Sequence, residues 1–186
     1  MLSYNCLQDQ RISSGEYCLI PVQEEHIDSI RQWRNQQMKV LRQGSIITET
    51  QQKLYFSEKI WPELNRRNPS NILMGLLYED RLIGYGGLVH IAWEHRRAEV
   101  SFLLATERAR DPEIYANDFN AYLGLIKFLS LGQLALNRLF TETYHFRENH
   151  IHILENAGFV REGVLRQHIF LDGIPIDSLI HGILLN

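Results

Sequence analysis

The chain reads as an α/β protein built on a mixed, mostly antiparallel central sheet, and three observations predict it. Residues 71–105 alternate three apolar runs with short polar turns, the pattern of an antiparallel meander. Residues 119–136 carry Lys127 as their only charge, so a helix there is apolar nearly all round and belongs buried against a sheet. Near the end, Asp172-Gly173 joins two strand-like runs, the strongest hairpin signal in the chain.

Each element has its own local reason. The first fifteen residues are polar and close on Ser13-Ser14-Gly15, which reads as a loose arm and leaves 16–186 as a single domain. Tyr17–Val22 is short, apolar and stopped by proline, an opening strand. From Glu24 the period becomes helical, with Ile27, Ile30 and Trp33 or Arg34 on one face as far as Asn35. A second helix starts after Thr48 or Thr50, either of which can cap it. It places Phe56, Ile60 and Leu64 on one face, and Pro62 breaks or kinks it. Strands follow at Asn71–Tyr78, Leu82–Trp93 and Arg97–Ala105. The buried helix Phe119–Leu136, capped by Asn117, leads to a strand at Leu139–Tyr144. A short helix, Glu148–Ala157, then ends at Gly158, a residue suited to the left-handed position past a helix. Strands Phe159–Leu171 and Ile174–Leu184 close the chain, giving the order β-α-α-β-β-β-α-β-α-β-β.

Composition narrows the function classes. With 186 residues, 45% of them apolar, the chain is long enough for one domain with a real core. A net charge of −3, with no basic stripe longer than Arg66-Arg67 or Arg96-Arg97, argues against a nucleic-acid partner. Cys6 and Cys18 form no CxxC pair and cannot make a disulfide framework, so they are expected to be reduced thiols. No apolar run reaches membrane-spanning length and no leader pattern opens the chain, so a cytoplasmic protein without a membrane partner is expected. His150 and His152 are two apart on a helix and do not share a face; with no carboxylate or Cys partner at ligand spacing, no metal site is expected.

Two motifs carry a resemblance. One is Gly158-Phe159 after a short helix, followed by Glu162-Gly163 and a hairpin bearing Asp177-Ser178. The other is Trp33-Arg34-Asn35, then Ile47-Thr48 and a helix. In this order, over residues 16–184, they resemble the Gcn5-related N-acetyltransferase (GNAT) superfamily, in the branch of ribosomal-protein N-terminal acetyltransferases and amino-sugar nucleotide acetyltransferases. The resemblance implies acetyl-CoA as co-substrate and a primary amine as acceptor, by preference on a nucleotide sugar; a protein or peptide amine is the alternative. It also implies that the fourth strand, at 97–105, splays from the fifth, at 139–144. The pantetheine arm would then pair with the backbone of Phe102, Leu103, Leu104 and Ala105 like an added strand. The diphosphate would meet the head of the buried helix, near Arg108, Arg110, Asn117 and Asp118, with Asn149 touching the pantetheine arm.

The chain departs from the family twice. Members usually carry an Arg/Gln-x-x-Gly-x-Gly/Ala turn before that helix, whereas Thr106–Asp118 contains no glycine. Many place a tyrosine acid four residues before the Gly-Phe pair, where this chain has Leu154. These departures favour a second class of function, a non-catalytic binding module that kept the fold.

Amide formation needs a base for the amine and donors for the oxyanion. Glu99 is the first candidate base, because it alternates with Ser101 and Leu103 on one face of its strand. Glu142 on the next strand is second and His90 third. The N–H of Leu103 or Leu104 is the candidate oxyanion donor. By resemblance, Trp33, Arg34 and Asn35 line the acceptor mouth, Trp33 stacking on a base or sugar and Arg34 pairing with phosphate or carboxylate. The helix pattern alone equally allows Trp33 in the core. The apolar closing strand Leu179–Leu184 would make an edge for a homodimer.

Overall fold

A computed structural model of the chain describes residues 1–185. Eight strands form one sheet in the order β1-β2-β3-β4-β5-β6-β8-β7. They span Ile12–Ser14 (β1), Tyr17–Pro21 (β2), Ile72–Tyr78 (β3), Arg81–Ala92 (β4), Arg97–Leu104 (β5), Arg138–Tyr144 (β6), Val160–Leu171 (β7) and Ile174–Leu184 (β8). Every neighbouring pair is antiparallel except β5 and β6, which are parallel. That one parallel pair is the topological consequence of a helical crossover, since parallel neighbours need a long connection.

Helices α1 (Ile27–Gln36) and α2 (Glu49–Tyr55) cover one face of the sheet. Ile30, Trp33, Phe56 and Ile60 pack there against Leu73, Tyr85 and Leu103. Thr48 is the cap of α2: its hydroxyl accepts from Gln51 N and the Gln51 side chain accepts from Thr48 N, a reciprocal capping box. After α2 the helix widens to a π turn over Phe56–Ile60 and then tightens into a 3₁₀ turn, Trp61–Asn65, with Pro62 in its first turn. The other face is covered by α4 (Pro112–Phe128) and α5 (Glu148–Asn156). Phe119, Tyr122, Leu123 and Ile126 of α4 pack with Ile153 and Leu154 of α5 on Ile72, Leu76, Val100 and Leu139. Burying both faces explains why β3 is apolar along its length rather than alternating.

Three expectations are corrected. Residues 1–15 are no loose arm: Tyr4, Leu7 and Ile12 are buried, Tyr4 Oη accepts from Leu73 N, and β1 pairs with β2. The buried helix begins at Pro112, earlier than expected, because Asp111-Pro112 supplies a cap and a first-turn proline ahead of Asn117. A four-residue helix, α3 (Thr106–Ala109), occupies the segment before it. Strand β8 lies inside the sheet between β6 and β7, so the outer edge is β7 and not Leu179–Leu184.

Candidate active site

Strands β5 and β6 pair only at Arg97–Arg138, Ala98–Leu139 and Glu99–Phe140. Past Glu99 they separate, as the resemblance implied, and a cleft of about 740 Å³ opens between them, lined by Glu99–Phe102 and Thr141–Tyr144. The edge of β5 that faces it is set by ladder alternation. Ala105 N donates to Ile83 O at 2.8 Å, so alternate amides back to Leu103 and Ser101 turn toward β4. The N–H groups of Phe102 and Leu104 therefore face the cleft. Of the two candidate oxyanion donors, Leu104 retains the geometry and Leu103 does not; the amide of Ala105 is likewise already used. Gln37 Nε2 donates to Leu104 O and Thr106 Oγ1, closing the upper end of the exposed edge.

The candidate bases meet at this cleft. Glu99 and Glu142 are 15% and 13% exposed and share one cation, Arg42, whose guanidinium lies 3.6 Å from Glu99 and 2.6 Å from Glu142. Burial pushes the Glu99 carboxyl above its ordinary range, against the pull of Arg42 and His90, with Glu142 adding to the rise. Glu142 Oε1 has no hydrogen-bond partner among the described residues, although His168 lies 3.7 Å from it. His90 sits on the bulge of β4 with φ of 52°, its ring 71% exposed and 3.9 Å from Glu99. It can relay a proton at the rim but lies outside the pocketed carboxylate pair. Sequence reasoning missed Arg42. The two carboxylates demand a nearby counter-charge only once β5 and β6 lie side by side, so no sequence pattern marked it.

A second cleft of about 1060 Å³ lies on the α1–α2 face, and Ser101 lines both. Its walls are Ile30, Ile47, Tyr55, Phe56, Leu73 and Tyr85, and among the described residues its only charged lining residue is Arg34. Arg34 donates to Tyr85 Oη at 2.9 Å and Gln43 Oε1 at 3.1 Å. Among the described residues no carboxylate oxygen lies within ion-pair distance of it. Trp33 does not line this cleft; it is 8% exposed and belongs to the core. Asn35 is structural too, its side chain bonding both Ile47 N and Ile47 O to hold the loop that forms the cleft wall.

The expected diphosphate site differs from expectation. Asp111 Oδ1 accepts from Glu113 N at 2.9 Å and Ile114 N at 3.0 Å, so the head of α4 is already capped by a carboxylate. Arg108 is spent: its Nε and Nη2 donate to the fully buried Asp118, which also accepts from Tyr17 Oη. Asp118 is thus a structural anion, not a cofactor contact. Asn117 is exposed in mid-helix, and Arg110 is exposed on the segment before α4. Asn149 lies in the first turn of α5 and lines a recess that shares Val40, Arg147 and His150 with the β5–β6 cleft. The open strand edge thus fits a pantetheine arm, while the head of α4 does not fit a diphosphate.

Among the described residues no helix is long and apolar enough to cross a membrane, and no group of three or more His, Cys, Asp or Glu is arranged to hold a metal ion.

Comparison with known proteins agrees with this architecture. A curated relative, the uncharacterized N-acetyltransferase YoaA of Bacillus subtilis (strain 168), is 33% identical over 104 residues. That match spans 55% of this chain and 55% of the relative, about half the length of either. Among solved structures, a spermidine N-acetyltransferase from Vibrio cholerae in complex with CoA and spermine superposes with a TM-score of 0.78 at 19% identity, covering 92% of this chain and 97% of that one. A dodecameric structure of spermidine N-acetyltransferase from Vibrio cholerae gives 0.72 at 19% identity, covering 92% and 95%. At such identity the likeness speaks to the fold. Residues 20–180 match the model of the acetyltransferase (GNAT) domain, and by that match the chain belongs to the GNAT family, acetyltransferases whose donor is acetyl-CoA.

Proposed function

We propose that the chain is an acetyl-CoA-dependent N-acetyltransferase acting on the primary amine of a small anionic acceptor, by preference an amino-sugar nucleotide. The observation that carries the transferase chemistry is that both clefts are lined by Ser101, two residues from Glu99 on the same face of β5. A thioester held along β5 and an amine entering from the α1–α2 face would meet there. Glu99 takes the amine proton, directly or through one water, and its raised pKa improves its match to that task. The nitrogen adds to the acetyl carbonyl carbon and the carbonyl π pair moves onto oxygen; the resulting oxyanion then re-forms the carbonyl as the carbon–sulfur bond breaks and the thiolate leaves. The outward N–H of Phe102, the residue after Ser101, would stabilise the oxyanion, whereas that of Leu104 lies farther along the strand. Leu154 is fully buried in the core, so no acid acts from that position.

Arg34 supports the finer choice of acceptor. A polyamine is a chain of cations and needs carboxylates along its path, yet no Asp or Glu lines the second cleft. A guanidinium with no carboxylate partner, in a cleft also lined by Tyr55 and Tyr85, suits a phosphate or carboxylate attached to an apolar or planar body. A CoA-release assay across UDP- and dTDP-amino sugars, spermidine and basic peptides tests this. Turnover is expected with the nucleotide sugars, with Arg34→Ala raising KM about tenfold at nearly unchanged kcat. Turnover confined to spermidine or to peptides overturns the acceptor assignment.

A further inference from the structure

The charge at the amine end of the β5–β6 cleft is set by a residue that belongs to neither strand. Glu99 and Glu142 face each other across the splay, and a single nitrogen of Arg42, Nη2, lies 3.6 Å from Glu99 Oε1 and 2.6 Å from Glu142 Oε2. With both carboxylates ionised, the three groups carry one net negative charge. His90 and His168 flank them, 3.9 Å from Glu99 and 3.7 Å from Glu142, and add positive charge only when protonated. Among the described residues no lysine and no other arginine lies within ion-pair distance of either carboxylate.

The group also has open valences. Glu142 Oε1 is buried without a hydrogen-bond partner, and so is the neighbouring Thr141 Oγ1, on a residue 5% exposed that lines the same cleft. Buried polar atoms left open in this way call for a ligand or a water. Arg42 does not supply one, because its loop is held on either side of it. Leu41 packs against the α1–α2 core, and its N–H donates to Met38 O at 3.1 Å. Gln43 Nε2 donates to Asn35 Oδ1 at 2.9 Å and to Ser45 O at 3.0 Å, while Gln43 Oε1 accepts from Arg34 Nε at 3.1 Å. The half-exposed guanidinium is therefore a tethered charge that stays over the carboxylates while an acceptor enters.

One ammonium neutralises a group of this charge. A second ammonium meets a cation already in place, and repulsion between like charges at short range opposes it. We propose that Arg42 is a specificity-determining residue, which restricts the acceptor to one ammonium at the cleft and rejects diamines and polyamines by charge. This rests on the acetyltransferase reading above, with the amine arriving at Glu99.

Propylamine and 1,3-diaminopropane have the same carbon chain and differ by one amino group, and both are fully charged at about pH 7. Their binding to the full chain is read by amide chemical-shift titration, and transfer by CoA release in the presence of acetyl-CoA. The wild type is expected to bind propylamine at least as well as the diamine. Arg42→Gln should move the affinity ratio about tenfold toward the diamine, and the kcat/KM ratio in the same direction. Arg42→Lys keeps the charge and should keep the wild-type ratio. Adding Glu142→Gln to Arg42→Gln restores one net negative charge and should remove the gain. Three results overturn the proposal: an unmoved ratio in Arg42→Gln, an equal move in Arg42→Lys, or a gain that survives the added Glu142→Gln. A variant that merely loosens the cleft weakens both amines together, leaves the ratio unmoved and so counts against it. If the binding ratio moves while no form acetylates either amine, the acetyltransferase reading falls and the charge rule stands. If transfer proceeds with an unmoved ratio, the role of Arg42 alone falls.

Discussion

Glu99 is a carboxylate taken partly out of water yet kept within reach of one cation, Arg42, with His90 and a second carboxylate, Glu142, beside it. Desolvation dominates that balance and raises its pKa. A base works only when ionised, so turnover should climb as pH rises through the raised Glu99 value and fall away below it. Glu99→Gln is expected to lower kcat/KM about 10²- to 10³-fold and to erase that acidic limb. A Glu99→Gln enzyme that keeps the limb would assign it elsewhere, with Glu142 the nearest candidate. Glu99 was legible in the sequence because strand alternation puts it on the face of Ser101 and Leu103. Arg42 was not, since a loop arginine declares its partner only once β5 and β6 lie side by side.

At the scale of elements, the α3–α4 segment shows how a local signal misleads. Asn117 and Asp111 are both acceptable caps, and Asp111 wins because proline follows it with its φ already helical. Starting the helix six residues earlier carries Asp118 into the interior. There the two nitrogens of Arg108 grip it bidentately at 2.7 and 2.9 Å, and Tyr17 of β2 adds a third bond. Removing Arg108 leaves a fully buried carboxylate with one neutral donor. Arg108→Ala should therefore cost about 3–5 kcal/mol in urea unfolding, and Arg108→Lys less. A loss below about 1 kcal/mol would mean that Asp118 protonates or hydrates without penalty. By contrast the Asp172-Gly173 turn, with φ of 51° and 80°, formed where it was read, because two left-handed residues in a row permit little else.

For the whole molecule, the meander, the crossover helix and the closing hairpin were readable because each rests on near-neighbour patterning. The N-terminal segment was not: Tyr4 is buried only because it reaches Leu73, 69 residues away, and no periodicity in a polar stretch announces such a contact. The strand order carries a thermodynamic expectation as well. A donor that adds itself along β5 binds the folded chain alone, so acetyl-CoA at about a hundred times its Kd should add about 2.7 kcal/mol of stability. For a chain of this size that is a rise in Tm of about 5–10 °C in a thermal-shift assay, and no rise at saturating donor would leave the fold as a binding module without this ligand.

The three residue pairs that join β5 to β6 also divide the sheet into two wings of five and three strands. A short seam of this kind is where a protein opens first, since few backbone bonds resist it. Amide hydrogens that bond β6 to the β5 side, Arg138 N among them, should exchange sooner than those that bond β6 to β8, and should slow when the donor bridges the gap. Protease susceptibility should follow the same course. The chain's lifetime in a cell would then track the local supply of its own acetyl donor, with starved molecules the first to be cleared.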